Sequence, residues 1–300
     1  MRKKIDIAIK FLIHAQNEDG GWPYQPGRQS SPEPTCFSLL ALGGYNPTNG
    51  HVAPVQKGLQ WALSRLNEKG ALTLQNDTEP HWTTSLLVIA LKQLHTADES
   101  QKKSAQWLLQ WKAKPFGKQQ EEVALNGGLI GWPWISDTFS WVEPTSQAIL
   151  ALKFCGYGKH ERVIEAERLL LDRVCQDGGW NYGNHTVLGT PLHGYAVTTA
   201  WAVLAMQNTS GTNALLDKGL AFLEQETRNR PSTLSLSLTI LCFDILGKPT
   251  SNLARALIRR QAGDGSWRQN IHLTALAVIA LQTIEMGTNV FKISSAGKTE

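Results

Sequence analysis

The chain has 300 residues, of which 42% are hydrophobic, and a formal net charge of +4. This length allows one large domain or two ordinary ones, and the apolar content is sufficient for a large core. The charge is small for the size and no run of Lys and Arg is longer than Arg2-Lys3-Lys4, which argues against nucleic-acid binding.

The apolar run after this basic start is interrupted by Asp6, Lys10 and His14, so it does not fit a signal peptide. No uninterrupted apolar segment approaches the ~20 residues that span a bilayer. The cysteines are scattered without paired spacing, which indicates reduced thiols. We therefore expect a cytoplasmic protein, and a peripheral contact with a membrane stays open.

The predicted elements form a repeat that starts at the N-terminus. An amphipathic run over about residues 5–16 leads into Gln16 and the loop Gly20-Gly21-Trp22, and a nearly all-apolar run then opens at Thr35. The same order recurs along the chain. The further amphipathic runs cover about 55–66, 101–111, 160–175, 214–227 and 251–261, and the further apolar runs open at Thr84, Thr145, Thr199, Thr233 and Thr274.

The loops between the two kinds of run carry the clearest sign of the repeat, and we call them the Gly-Trp loops. Gly20-Gly21-Trp22 has close copies in Gly178-Gly179-Trp180 and Gly265-Ser266-Trp267, and a looser copy ends at Trp132. In the second repeat, residues 67–72 stand in its place without a tryptophan. A fixed period of this kind indicates a repeat architecture.

Six helix pairs that alternate between amphipathic and apolar members predict an all-α (α/α)6 toroid. The apolar helices should form a buried inner ring and the amphipathic helices an outer ring. Because each repeat buries its apolar face only on its neighbours, we predict one domain over residues 1–288. Residues 289–300 are predicted to be a polar, frayed tail.

These loops resemble the "QW" repeat of the squalene–hopene cyclase and protein prenyltransferase β-subunit superfamily. Phe11-Leu12, Gln16 and Gly20-Gly21-Trp22 fit that signature well, and Gln261 with Gly265-Ser266-Trp267 fits its Gln–Gly–Trp part. The resemblance covers about residues 5–285. It implies the toroid fold and an isoprenoid-like apolar substrate in a central cavity, although one fold can host unrelated functions.

Candidate acids stand just before the apolar helices. Glu33, Glu143 and His272 lie two residues before their threonines, and Glu79 lies five before Thr84. Inner helices that run in one direction should bring these residues to the same rim, where mutual repulsion and burial can produce a general acid. Alternatively, each Glu-Pro pair only favours the start of a helix.

The Asp-x-Asp-Asp acid of the cyclases that the chain resembles does not occur in the sequence. Glu143 is the first candidate for a substitute acid and Glu33 the second, and Asp137 and Glu79 are further candidates. Aromatic side chains can stabilise a carbocation or pack in the core. Those expected to bind substrate, together with His272, are Trp22, Tyr24, Trp132, Trp134, Phe139 and Trp141, of which the last four belong to the long insertion 112–142.

The prenyltransferase β-subunits of the same superfamily hold zinc with Asp-x-Cys and a later histidine. His272-Leu273-Thr274 resembles that later helix start, but Ser232 to Ser235 stand where Asp-x-Cys is required. One histidine is not a zinc site, so we expect no metal and no cofactor. The sequence thus favours a terpenoid cyclase-like enzyme of the isomerase or lyase type. The first alternative is a non-catalytic toroid that binds a lipid or a protein. The second is a prenyltransferase-like subunit.

Overall fold

The computed structural model describes residues 1–44, 52–74, 77–96, 98–117, 125–229 and 231–293. Within these ranges the chain forms twelve α-helices and one short hairpin. The helices are α1 Arg2–His14, α2 Pro32–Gly43, α3 Val52–Ser64, α4 Thr84–Gln93, α5 Asp98–Gln110, α6 Val142–Phe154, α7 Glu161–Asp172, α8 Ala196–Ala205, α9 Asn213–Arg228, α10 Thr233–Ile245, α11 Ser251–Ile258 and α12 Ile271–Met286. The hairpin strands are β1 Thr186–Val187 and β2 Thr190–Pro191, paired antiparallel with Thr186 opposite Pro191.

The chain divides into two compact units, which we describe separately. Unit 1 comprises Met1–Trp111 and Arg230–Val290, and unit 2 comprises Lys112–Asn229 and Phe291–Glu300. The prediction of a single domain over residues 1–288 therefore stays a prediction.

In unit 1, four apolar helices lie side by side in the order α10, α12, α2 and α4. The amphipathic helices pack on them: α1 on α12 and α2, α3 on α2, α5 on α4, and α11 on α10. The last helix of the chain thus contacts the first two. The buried Gln282 side chain fastens this contact, since its Nε2 donates to the carbonyl of Ala41 at 2.9 Å.

In unit 2, the apolar helices α6 and α8 lie side by side, with α7 packed on α6 and α9 on α8. A nearly buried ion pair joins Lys153 to Glu167, with 2.7 Å between Nζ and Oε1. The same ammonium group donates to the carbonyls of Ala205 and Gln207, both at 2.8 Å. It thereby provides partners for carbonyls at the C-terminal end of α8, which a helix leaves unpaired.

Three of the Gly-Trp loops share one turn, and the second repeat keeps it without a tryptophan. In the loops that end at Trp22, Trp180 and Trp267 a glycine lies at a positive φ, and Gly70 does the same before Leu72, with φ between 85° and 92°. A side chain at Gly20 would also meet the Lys57 carbonyl at 2.7 Å. Backbone conformation and close approach therefore both require glycine at this point.

In five of the six repeats the threonine hydroxyl holds the preceding loop onto the following helix. The Thr35 hydroxyl accepts the Trp22 backbone N–H at 2.9 Å and donates to the Ser31 carbonyl at 2.7 Å. Equivalent bonds join Trp132 to Thr145, Leu72 to Thr84, Trp180 to Thr199 and Trp267 to Thr274.

The predicted helix starts need a correction that follows from this role. Thr84 and Thr233 are the first residues of α4 and α10, as predicted, but α2, α6, α8 and α12 each begin three residues before their threonine. In α2, Pro32 follows the extended N-cap Ser31, and proline suits the first helical turn. The threonine therefore marks the end of the first turn in these four helices.

The expectation of a frayed tail is wrong for its first part. Phe291 is fully buried and packs edge-on against Trp201, with ring centroids 5.5 Å apart. The Gln207 amide donates to the Phe291 carbonyl at 2.8 Å, and its oxygen accepts the Ile293 N–H at 3.0 Å. Packing of Phe291 and the two hydrogen bonds of Gln207 together fix residues 291–293, and residues 294–300 of the predicted tail lie outside the described residues.

Candidate functional site

The residue two positions after the signature tryptophan lies at the N-terminus of a neighbouring apolar helix. In unit 1, the Tyr24 carbonyl accepts the N–H of Ile271, the first residue of α12, at 2.9 Å. In unit 2, the Tyr182 carbonyl accepts the N–H of Val142, the first residue of α6, also at 2.9 Å. Each aromatic side chain is therefore held close to a helix start, and both are partly exposed.

In unit 1 this arrangement brings three functional side chains together. The Tyr24 hydroxyl hydrogen-bonds Oε2 of Glu33, and the same oxygen lies 3.7 Å from Nδ1 of His272. The Glu33 and His272 side chains are only 13% and 14% exposed. Phe37, one turn after Glu33, stacks on the His272 ring at 4.7 Å between centroids. We call Tyr24, Glu33 and His272 the rim cluster.

A second histidine of unit 1 lies within the electrostatic reach of the cluster. Burial lowers the pKa of His81 from its ordinary value of 6.5, although Glu33 and Asp77 act in the opposite direction. Its Nδ1 is 2.7 Å from the Thr83 hydroxyl, just before α4. Burial thus favours the neutral form of His81.

Unit 2 builds the same backbone arrangement with different side chains. Tyr182 corresponds to Tyr24, but its ring lies 5.3 Å from that of Tyr195, the N-cap residue of α8. Val197 occupies the position in α8 that Glu33 has in α2. Glu143 corresponds to His272 and accepts a long hydrogen bond from Gln147, at 3.4 Å. The framework therefore forms here with valine at the position of Glu33 and glutamate at the position of His272, so it does not require the side chains of the rim cluster.

The other two predicted acids lie in exposed loops. Glu79 is exposed before α4, and its N–H donates to Asp77 at 2.9 Å. Asp137 is at a positive φ of 64°, and its 83% exposed carboxylate faces Lys114 at 3.4 Å. Neither surrounding is the buried one that favours a general acid. Glu33 and His272 come together as predicted, whereas Glu143 and Asp137 belong to unit 2, so the common rim stays a prediction.

Two of the aromatic residues expected to bind substrate are packing residues. Trp22 is 0% exposed, donates from Nε1 to the Leu12 carbonyl at 2.7 Å and packs against Gly58 of α3. Trp132 is 1% exposed and lies under the guanidinium of Arg162, 4.5 Å from the ring centroid. Neighbouring helices enclose both rings, which corrects their assignment to substrate. Trp134 and Trp141 are half-buried and Phe139 is 44% exposed, so these three remain available to a ligand.

The sequence predicted Tyr24 as a substrate-binding residue but did not predict its contact with Glu33, and it did not predict a role for Phe37. A signal existed for Tyr24, because an aromatic residue follows the tryptophan by two positions in Trp22-Pro23-Tyr24, Trp132-Pro133-Trp134 and Trp180-Asn181-Tyr182. The sequence gives no such signal for Phe37, because an apolar residue is expected at any position of an apolar helix.

Within the described ranges, no group of three or more His, Cys, Asp or Glu side chains is arranged to hold a metal ion. In the same part of the chain no helix is both long and apolar enough to cross a membrane.

No sequence family matches the chain, and no curated protein does either. Solved structures do. The chain is similar to a protein from Actinoplanes, with a TM-score of 0.68 and 14% identity over 95% of this chain and 99% of that one. It is similar to the type II terpene cyclase MstE from Scytonema, with a TM-score of 0.67 and 13% identity over 96% and 99%. A third similar structure is a Salegentibacter α-1,6-mannanase, with a TM-score of 0.64 and 10% identity over 95% and 98%.

Identities this low show the fold alone. The chain has the all-α (α/α)6 toroid fold that the sequence predicts, and this fold is terpene cyclase-like. The mannanase shares it, so the fold does not select the reaction.

Proposed function

We propose that this protein binds an isoprenoid-like apolar substrate and starts its cyclisation by protonation, with Glu33 as the acid. The substrate class has support from the similar structures, since MstE has been solved in complex with geranylgeranyl dihydroxybenzoate as substrate. The acid has support from the rim cluster, in which Glu33 contacts both Tyr24 and His272. This contact is the observation on which the proposal depends.

The comparison of the two units favours Glu33 over Glu143, the first candidate from the sequence. Both residues occupy the second position of an apolar helix that begins with a proline-containing turn. Glu33 lies between a tyrosine hydroxyl and a histidine, and both of these groups can carry a proton. An acid that must be reprotonated after each turnover needs a neighbour that can exchange protons.

The proposed step transfers the Glu33 proton to a terminal alkene. The O–H bond of the carboxyl group breaks, a C–H bond forms, and the substrate becomes a tertiary carbocation. The hydrogen bond from Tyr24 stabilises the carboxylate that remains, which favours the state after transfer. His272, protonated from solvent, then returns a proton to Glu33, and the cyclised cation gives up one proton to water in the last step, so that no net proton is consumed.

The test is incubation with farnesyl, geranylgeranyl and squalene-type substrates, followed by mass spectrometry. We expect cyclised products from the wild type and a loss of about 10²–10⁴-fold in turnover for Glu33→Gln, with substrate binding retained. Glu79→Gln is the matched control, because it removes an exposed carboxyl group of the same unit. A loss in Glu143→Gln but not in Glu33→Gln would move the acid to unit 2.

A non-catalytic toroid that binds a lipid or a protein is the alternative. It predicts binding of the same probes with no product from any variant. Peripheral membrane contact is compatible with both the enzyme and the non-catalytic toroid. Exposed cationic side chains on α1 and after α11 would support such a contact. Gln261 hydrogen-bonds the Lys4 carbonyl at 2.8 Å, so Lys4 and the exposed Arg259 and Arg260 belong to adjacent segments.

A further inference from the structure

Unit 2 contains a pocket that the proposed reaction does not use. It has a volume of about 60 Å³ and is partly open to solvent. The insertion before α6 supplies most of its walls, and the C-terminal end of α7 and the loop after Trp180 supply the rest. The lining residues that matter here are Lys114, Phe116, Phe139, Trp141, Arg173 and Asn184.

The aromatic walls are fixed by backbone contacts. Phe116 and Phe139 meet edge to face with centroids 4.8 Å apart. Lys114 pairs with Phe139 in a parallel bridge, and the Lys114 N–H donates to the Thr138 carbonyl at 2.8 Å. The Phe139 side chain nevertheless remains 44% exposed. The insertion thus holds an aromatic ring open to solvent, at an energetic cost that a bound apolar group would offset.

The charged side chains that line the pocket are both cationic, and no carboxylate group lines it within the described part of the chain. The Arg173 side chain is 6% exposed and is paired with Asp172, and it also donates to the Asn126 carbonyl at 3.2 Å. Lys114 faces Asp137 at 3.4 Å, but the two side chains are 57% and 83% exposed. An ion pair this exposed is weak, so the ammonium group of Lys114 can leave Asp137 and pair with another anion.

We infer that this pocket binds a small aromatic carboxylate. The ring would lie against the packed Phe116–Phe139 pair and Trp141 at the mouth of the pocket, where edge-to-face and stacked contacts favour another ring. The carboxylate would remain at the open side and pair with Lys114, and the exposed Asn184 amide can add a hydrogen bond. A dry cavity of about 150 Å³ encloses benzene, so a pocket of this size takes a ring only in part.

This inference is independent of the proposed function. It needs neither the rim cluster nor a reaction, and it assigns Phe139 and Trp141 to an aromatic anion and not to a cyclising isoprenoid. Failure of either proposal leaves the other unaffected, because their residues belong to different units.

The first experiment compares three soluble probes by ligand-observed NMR titration. Benzoate has both ring and charge, benzyl alcohol has the ring without the charge, and acetate has the charge without the ring. We expect benzoate to saturate in the roughly millimolar range, benzyl alcohol to bind at least about fivefold more weakly, and acetate not to saturate. The benzoate affinity should fall with added salt while the affinity for benzyl alcohol should not.

The second experiment uses Lys114→Met, which keeps the length of the side chain and removes its charge. We expect it to weaken benzoate about fivefold and to leave benzyl alcohol unchanged. Lys112→Met is the matched control, since Lys112 is exposed in the same segment and does not line the pocket. Phe139→Ala should weaken both ring-containing probes. Equal binding of benzoate and benzyl alcohol, no saturation by benzoate up to roughly 50 mM, or equal effects of the two lysine variants would each overturn the inference.

Discussion

At the scale of single residues, the threonine hydroxyl connects the loop of a repeat to the following apolar helix. Thr145 is fully buried and accepts the Trp132 N–H at 2.9 Å. Thr145→Val keeps the shape and leaves that N–H without a partner, so we expect a loss of about 1–3 kcal/mol in the free energy of unfolding. The measurement is the urea midpoint.

The control for this prediction is a threonine without such a bond. The hydroxyl of Thr239 in α10 is buried and has no hydrogen-bond partner in the described structure. Thr239→Val should therefore be neutral or stabilising, because a buried unpaired hydroxyl group is replaced by an apolar one. Equal destabilisation by the two variants would show that the effect is steric.

His81 should make the stability depend on pH. Its pKa in the folded state lies below the unfolded value of 6.5 because of burial. Between these two values the unfolded state binds more protons, so the stability is full above pH 6.5 and is lost as the pH falls below it. We expect His81→Asn to remove this part of the acid destabilisation. Urea midpoints of the two proteins between about pH 7.5 and 5 test it, and an unchanged pH dependence in the variant would contradict it.

At the scale of the elements, each signature tryptophan joins two amphipathic helices. Trp180 is fully buried, donates from Nε1 to the Leu170 carbonyl of α7 at 2.7 Å, and packs against Gly219 of α9. We expect Trp180→Ala to cost about 3–5 kcal/mol. Tyr182→Ala, which truncates an aromatic side chain that is 53% exposed, should change stability by less than about 0.5 kcal/mol. A Trp180→Ala protein with the wild-type melting temperature would refute the packing role.

The elements also show how far the sequence could predict this fold. Periodicity was sufficient to find the helix pairs, since burial of one face or of all faces leaves a pattern in the chain. The helix starts were less accessible, because the threonine keeps its bond to the loop whether the helix begins at it, as in α4, or three residues before it, as in α2. The burial of Phe291 could not be predicted either, because Phe291 packs against Trp201, which is distant in sequence.

The candidate site was predictable only in part for the same physical reason. Equal offsets from the threonines placed Glu33 and His272 at equivalent positions, and the contact of α2 with α12 made these positions neighbours. The offset could not distinguish Glu33 from Glu143, since the difference lies in what each carboxyl group meets across the helix boundary. Asp137 and Glu79 differ from these two glutamates in being exposed, and the spacing of a loop residue along the sequence does not predict its exposure.

At the scale of the whole molecule, the first and last repeats depend on each other. α12 packs between α10 and α2, and α1 packs on α12, so sequence-distant segments complete unit 1. The Gly-Trp loop of the last repeat also contacts the first helix, because Gln261 donates to the Lys4 carbonyl and Gly265 lies against Ile7. This closure brings His272 to Glu33, so the rim cluster exists only when both ends of the chain are folded.

Deletion of residues 1–14 tests this closure. It removes α1 with its buried Ile5, Ile9 and Leu12, which at about 1.5–3 kcal/mol each amounts to about 5–9 kcal/mol. A natural domain has only about 5–15 kcal/mol of stability, so we expect the truncated protein to lose cooperative unfolding in urea. Adding a peptide of residues 1–17 in trans should restore it, because the groove on α2 and α12 is then refilled. The matched control is the same peptide with Ile5→Asp and Ile9→Asp, which should not restore folding, since it would bury two unpaired carboxylates. A truncated protein with the wild-type urea midpoint would show that α1 is dispensable, and rescue by the control peptide would show that the contact is not the apolar one described.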